Sequence, residues 1–475
     1  MLPPQFEPDR EALRRVREQR PRRLLVASDF HLGAGSDQRT GTYDATENFH
    51  ADDAFADWLE HYGATDTVLI LNGDIFDFVR VTAVPVEEAD CERWSQALRR
   101  LGYPEQASSP ARLKLSVSRS ERRYGLGSED YKSLWKLLHI IDGHPGFFAA
   151  LSRWIERGGE VVILAGNHDV ELHWPLVRQA IRLEVRQPEG GPWFEDEDVR
   201  FENVQIEHGH QYDPMNRVQG SITLAPDNTQ MRLPLGSFLC RYMINRVEAL
   251  DPFIDNVKPA QDALLRLVRQ VPFRTWRAYG GGWRFVFRAI AMRRMNTAVA
   301  LIALTLTLPP IVLALLLVPP PLRDATIAQL DIGHAGRAAV AFLVTILFGG
   351  ALPYVIGAIN DLRRRRFPPR NRQLEAARTV VARVVPDRGP AYVCMGHTHE
   401  VAVERLNDEG SRLYINTGTW TALWPRDRPD LLGRTQLTYA CFDARTDGYI
   451  GAVLRWDEHG RRPVPAKILI KPAHR

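Results

Sequence analysis

Cysteine is scarce and badly spaced for any structural role. The 475 residues hold four, Cys91, Cys240, Cys394 and Cys441, far apart and with no Cys-x-x-Cys pair. That excludes a zinc ribbon or a disulfide framework and makes a reducing compartment the default. Residues 1–23 are rich in arginine and glutamate and lack an apolar signal segment, so the N-terminus is expected to begin in the cytoplasm. A general excess of positive charge is missing too. The net charge is +4, but residues 361–372 contribute six arginines against one aspartate, or +5, which leaves −1 for everything else. No nucleic-acid partner is expected from such a balance. With 45% hydrophobic and 25% charged residues, wholesale disorder is excluded, and the length suggests two or three domains.

Charge is absent altogether from two stretches, 296–322 and 338–360. The mean hydropathy of −0.26 argues against a multi-span transporter, yet residues 297–318 and 338–359 are each long enough to cross a hydrocarbon core of ~30 Å. Arg284, Arg288, Arg293 and Arg294 precede the first run, and Arg363–Arg366 with Arg370 follow the second. Positive-inside bias then puts both ends in the cytoplasm, giving a hairpin in the cytoplasmic (inner) membrane with the bilayer as a partner. Pro309-Pro310 interrupts the first run, so a re-entrant hairpin is a rival, as is a hairpin buried in a soluble protein.

Six short runs rich in β-branched residues and bounded by Gly, Asn or Asp read as buried strands: 24–28, 67–71, 160–164, 204–207, 391–395 and 412–415. Helical periodicity between them, as at 51–61 and 131–141, gives an α/β class. The expected order is a catalytic-looking domain in two parts, 1–215 and 389–475. It is split by a helical amphipathic insert (216–296), the membrane hairpin (297–359) and a basic linker (360–388). The insert's arginines suit helices lying on a membrane or capping a site, or ordinary solvated faces.

Five of the six strands end in residues of metal-ligand type: Asp29-Phe30-His31, Gly73-Asp74-Ile75-Phe76-Asp77, Gly166-Asn167-His168-Asp169, His208-Gly209-His210 and Gly396-His397-Thr398-His399. In open α/β folds, loops at the carboxyl ends of separate strands converge on one point. Asp, Asn and His supply hard oxygen and borderline nitrogen ligands suited to Mn²⁺, Fe, Zn²⁺ or Co²⁺. Asp-x-His and His-x-His put two side chains on the same face of an extended chain. Their number exceeds the needs of one cation, which implies two divalent ions.

These five blocks, in this order, resemble the signature of the calcineurin-like metallophosphoesterase superfamily. The wording of the first two is nearest to the UDP-diacylglucosamine diphosphatases, although His168 and His210 depart from what those enzymes carry. The resemblance covers roughly residues 20–215 and 389–475, and it implies a four-layer αββα sandwich with a dinuclear metal centre. Carried over residue by residue, it gives Asp29, His31 and His399 to the first ion and Asn167, His208 and His397 to the second, with Asp74 between them. It implies that an activated bridging hydroxide attacks phosphorus, with manganese the foremost metal. His168 would act as acid and transition-state stabiliser, its ring held by Asp77. In the fourth block His208 is favoured as ligand, and His210 would stand behind it or touch substrate. Asn416, in Asn-Thr-Gly-Thr, shapes the site wall in relatives, and a plain strand-end turn is the other reading. Arg80 could grip a phosphate or be a solvated arginine.

The function expected is a membrane-anchored phosphoesterase that hydrolyses a phosphoester or diphosphate, with a lipid-linked substrate favoured by tethering to the bilayer. A soluble-nucleotide phosphatase or phosphodiesterase using the membrane as an address, or a non-catalytic scaffold, are the alternatives.

Overall fold

The computed structural model describes residues 7–185, 191–224, 227–245, 257–258, 372–383, 389–425 and 433–466. The chain divides into two units, Met1–Pro259 with Asn371–Arg475, and Ala260–Arg370; the described residues all belong to the first.

Fifteen strands lie among those residues: β1 (Arg23–Ala27), β2 (Thr67–Asn72), β3 (Glu160–Leu164), β4 (Trp193–Glu195), β5 (Asp198–Phe201), β6 (Val204–Glu207), β7 (Val257–Lys258), β8 (Tyr392–Met395), β9 (Ala402–Arg405), β10 (Leu413–Asn416), β11 (Ala422–Pro425), β12 (Arg434–Thr435), β13 (Thr438–Arg445), β14 (Gly448–Asp457) and β15 (Arg462–Pro465). Seven form a sheet in the order β15-β14-β13-β1-β2-β3-β4, and five another in the order β5-β6-β8-β10-β9. The chain is therefore mixed α/β. Within the first sheet β1 to β4 run parallel; within the second β6, β8 and β10 do. The antiparallel strands stand outside these inner ones, on β1, β6 and β10.

The inner strands are apolar on both faces because both faces are covered. In β1, Leu24 and Val26 enter a core shared with Ile206 of β6, Cys394 of β8 and Ile415 of β10. Leu25 and Ala27 alternate to the opposite face, where they meet Phe30, Phe55, Trp58 and Phe147 from the loops and helices. Each fully buried leucine or valine contributes about 1.5–3 kcal/mol. The outer face of the second sheet is covered by the helix Arg372–Arg383, whose Ala377 packs with Val393, Met395 and Tyr414.

All six expected strands are present, shifted by at most a residue. The helices expected over 51–61 and 131–141 appear as Asp52–Tyr62 and Asp130–Gly143. The antiparallel group β13 to β15 was not foreseen, although β13 and β14 form a hairpin in register from Thr438↔Arg455 to Arg445↔Gly448. The supposed linker 360–388 contains the helix just named, because Leu374, Ala377 and Val380 recur at helical spacing against the sheet. Of the insert, the described part ends in the short helix Leu235–Leu239 and the π-helical turn Cys240–Ile244. No helix among the described residues is long and apolar enough to cross a membrane, and the two uncharged runs lie outside those residues.

Candidate metal centre

The five blocks follow β1, β2, β3, β6 and β8, each at the carboxyl end of a parallel strand. Hydrogen bonds lace neighbouring loops together beyond the strands: His31 N–H to Asp74 O at 3.0 Å, Asp29 N–H to Gly73 O at 3.1 Å, and Gly396 N–H to His208 O at 3.0 Å. Asp29, His31, Asp74, His397 and His399 have φ of 57°, 54°, 52°, 70° and 61°. They are five of the eleven non-glycine residues with positive φ among those described. Left-handed backbone costs such residues about 1–2 kcal/mol each, and strain gathered at one place points to function. The sequence argument put Asp29 with His31, and His397 with His399, on one face of extended chain. In fact β1 ends at Ala27 and β8 at Met395, and both pairs turn inward through left-handed residues.

Two of the glycines are required by close approach. A Cβ on Gly73 would lie 2.5 Å from the His208 ring, and one on Gly166 would collide with Asp74 Oδ1.

Candidate ligand atoms gather in three groups, each within 4.8 Å: Asp29, His31 and His399; Asp74, His208 and His397; and His31, Asp77 and His168. In the first group His399 Nε2 is 3.0 Å from His31 Nε2 and 3.3 Å from Asp29 Oδ1. Asp74 Oδ2 lies between the first two groups, 3.3 Å from His208 Nε2 and 3.9 Å from His31 Nε2. Asn167 is buried with its Oδ1 unpartnered among the described residues, and His208 Nε2 likewise makes no hydrogen bond. The His208 ring is held from behind, Nδ1 donating to Asn72 O at 2.8 Å. Leaving the Asn167 oxygen buried without a donor costs about 1–3 kcal/mol. An amide oxygen, imidazole nitrogens and carboxylates are a donor set that a divalent cation fits.

The third group has a different character. Asp77 Oδ2 accepts from His31 Nδ1 at 3.1 Å, His168 Nδ1 at 3.0 Å and Arg80 Nε at 2.8 Å. Its charge is already matched by a guanidinium, so this is a cluster that orients rings. Burial works against ionisation of Asp77, but His168 and the other donors outweigh it and hold its carboxyl well below the usual range. His168 also donates its backbone N–H to Asp74 Oδ1 at 2.8 Å. Burial would lower its imidazole, yet Asp77 and Asp74 prevail and push it up to about 10. His208 is pushed up to about 9 by Asp74 against the same burial. Asp74 in turn is held well below the carboxylate range, burial being outweighed by His208 and His168.

The structure thus gathers Asp29, His31, Asp74, His168, Asp77, His208, His397 and His399, with Asn167 buried next to His168 in the chain. Of the three residues expected near substrate, Arg80 points into the interior, Asn416 makes the strand-end turn that was its other reading, and His210 stands beside His208. Arg80 is not solvated: 2% exposed, it bonds Asp77 and, through Nη1, Thr46 O at 3.2 Å. Asn416 is wholly buried, its Nδ2 on Gly396 O at 2.7 Å and its Oδ1 on Gly418 N–H at 3.0 Å, so it braces the His397 loop from behind. His210 falls outside the three groups, with its ring centroid 5.3 Å from that of His208 and its Nδ1 buried and unpartnered. Burial and the neighbouring His208 push it down to about 3, keeping it neutral.

Other contributors were not read from the sequence. Gln373 donates from Nε2 to Gly209 O at 3.4 Å and Gly396 O at 3.2 Å, and its Oε1 accepts from Tyr414 and Asn416. Asp213 takes the Nε2–H of His397 at 3.3 Å and is held down to about 2, burial being outweighed by that bond. Ser237 donates to Asn167 O at 2.7 Å. A carboxylate two turns past His208 and an amide opening a helix carry no motif, so pattern alone offered no signal for them. Among known families no family model matches the chain, and no curated protein does.

Proposed function

We propose that this chain is a dinuclear-metal phosphoesterase with the calcineurin-like αββα sandwich as its architecture. The sheets facing each other between helices are compatible with that plan. One observation carries the reading: six side chains from four separated loops, those after β1, β2, β6 and β8, meet as two ligand groups, with Asp74 Oδ2 within 3.9 Å of a histidine in each, while Asn167 Oδ1 lies buried without a hydrogen bond among the described residues. Asp29, His31 and His399 would hold one divalent ion, Asn167, His208 and His397 the other, with Asp74 common to both. Such a pair of ions supplies an acidified water and neutralises charge on phosphoryl oxygens.

The chain's own residues do the rest. His168 keeps a proton in reach of the leaving oxygen, and Asp77 fixes its ring through Nδ1. Arg80 fixes Asp77. Asp213 orients His397 as a carboxylate behind a metal-binding imidazole does. Membrane anchorage by 297–359, with the site facing the cytoplasm, favours a lipid-linked phosphate as substrate.

Hydrolysis by the purified, Mn²⁺-supplemented full chain of a phosphodiester, a phosphomonoester and a lipid-linked diphosphate tests this. Turnover of at least one, abolished by Asp74→Asn, is expected. Protein that takes up no metal from the Mn²⁺-supplemented buffer and turns over none of the three would end the proposal, and turnover restricted to soluble nucleotides would remove the lipid.

A further inference from the structure

On the described surface one large apolar side chain stands out among unpaired cations. Leu115 is 85% exposed. It lies on the short helix Pro110–Ser116, whose Leu113 turns inward together with Val117 four residues on. That spacing fixes the buried side and leaves Leu115 outward. Arg112, Lys114, Arg119, Arg122 and Arg123 are all exposed around it in the sequence. The single acidic residue of 109–124, Glu121, is buried with Oε1 on Lys132 Nζ at 2.7 Å, so it does not offset them. None of the five cations forms an ion pair among the described residues. In a chain whose charge outside 361–372 sums to −1, five exposed cations within residues 112–123 are a local excess.

Its position supplies the second observation. The adjoining Tyr124 ring lies 5.1 Å from that of Tyr242, and Arg241 Nη2 donates to Gly125 O at 2.7 Å. Asn245 Nδ2, the next anchor, donates to Val79 O at 2.7 Å. Tyr242 and Asn245 belong to the described part of the insert that begins at residue 216. The basic surface therefore adjoins the described part of that insert.

We propose that residues 110–123 dock on an anionic bilayer surface, Leu115 entering the interface while the five cations meet lipid phosphates; this rests on reading 297–359 as a membrane hairpin. Basic residues around an apolar side chain are what an interfacial segment needs. Each cation beside an anionic leaflet strengthens association on the order of fivefold. Residues 109–123 contain no aromatic side chain on which a base could stack, which favours a bilayer over a nucleic acid.

The test is amide hydrogen exchange of 109–124 in the full chain, reconstituted in phosphatidylcholine vesicles with or without about one third phosphatidylglycerol. Exchange should slow on the order of tenfold only with the anionic lipid and recover at high salt. The slowing should vanish in the variant Arg112→Gln, Lys114→Gln, Arg119→Gln, Arg122→Gln, Arg123→Gln, which should melt at the wild-type temperature because all five side chains are exposed. Equal exchange in both vesicles overturns the docking surface, as does retention on single-stranded RNA without a response to lipid. Failure of the hairpin reads differently. Wild-type protein that does not float with neutral vesicles removes the hairpin, yet flotation of wild type but not variant with anionic vesicles at low salt would still support the surface.

Discussion

His168 and Arg80 have positions that demand different kinetics. His168 touches no residue of the two ligand groups with its ring except through Asp77 and the ring of His31, so His168→Ala should retain both metals and lose about 10²- to 10⁴-fold in kcat. Metal stoichiometry and turnover measured on one preparation check this, and unchanged kcat would remove His168 from the chemistry. Arg80 is buried against a buried carboxylate, and deleting one partner of such a pair costs about 3–5 kcal/mol. Arg80→Leu is therefore expected to lower the unfolding midpoint and kcat together. A phosphate grip would instead raise KM and spare the fold, and denaturant melts beside initial rates separate the two. The motif residues were legible because each sits in a fixed spacing after an apolar strand. Arg80 and Gln373 were misread or missed because their roles depend on partners 3 to 164 residues away that no spacing announces.

At the scale of elements, a buried ion cluster ties the loop after β1 to two helix starts. Glu47 accepts backbone N–H groups from Gly35 at 2.6 Å and Phe49 at 2.8 Å, and His144 bridges Glu47 and Asp52 at 3.3 and 3.0 Å. Burial lowers His144, but Glu47 and Asp52 raise it overall from its ordinary 6.5 to about 9. Burial raises Glu47, but His144 and the backbone donors bring it below its ordinary 4.5. A raised histidine stabilises fully below 6.5 and loses that contribution as pH climbs through 9. A depressed glutamate stabilises fully above 4.5 and loses it on acidification. Both contributions are complete between those ordinary values, so urea stability should decline on either side. His144→Gln should flatten the alkaline limb, and an alkaline limb identical to wild type would contradict the assignment. Gln373, at the start of the helix Arg372–Arg383, clamps the loops of His208 and His397. Gln373→Ala should weaken metal binding about 10- to 100-fold, as loss of support behind ligands does, read by titration calorimetry against a Gln373→Asn control.

The whole molecule couples its fold to its ligands. Two groups of carboxylates and imidazoles are held in strained backbone with the Asn167 oxygen left unsatisfied beside them, so a cation that binds only the folded chain stabilises it. At 100-fold excess over Kd that amounts to about 2.7 kcal/mol. Chelation is expected to abolish hydrolysis and lower the melting temperature, with Mn²⁺ restoring both. A melt unmoved by chelation and by Mn²⁺ would count against any ion at the site.

The α/β class, the six inner strands and the residues able to ligate metal were determined by the sequence, because a strand buried on both faces needs an unbroken apolar run and a ligand needs its own chemical type. Tertiary structure alone decided the strand order, the left-handed turns that aim Asp29 and His399 inward, and the fate of the polar residues behind them. Those outcomes depend on which groups burial leaves without water, and a chain read one residue after another does not contain that information until distant segments meet.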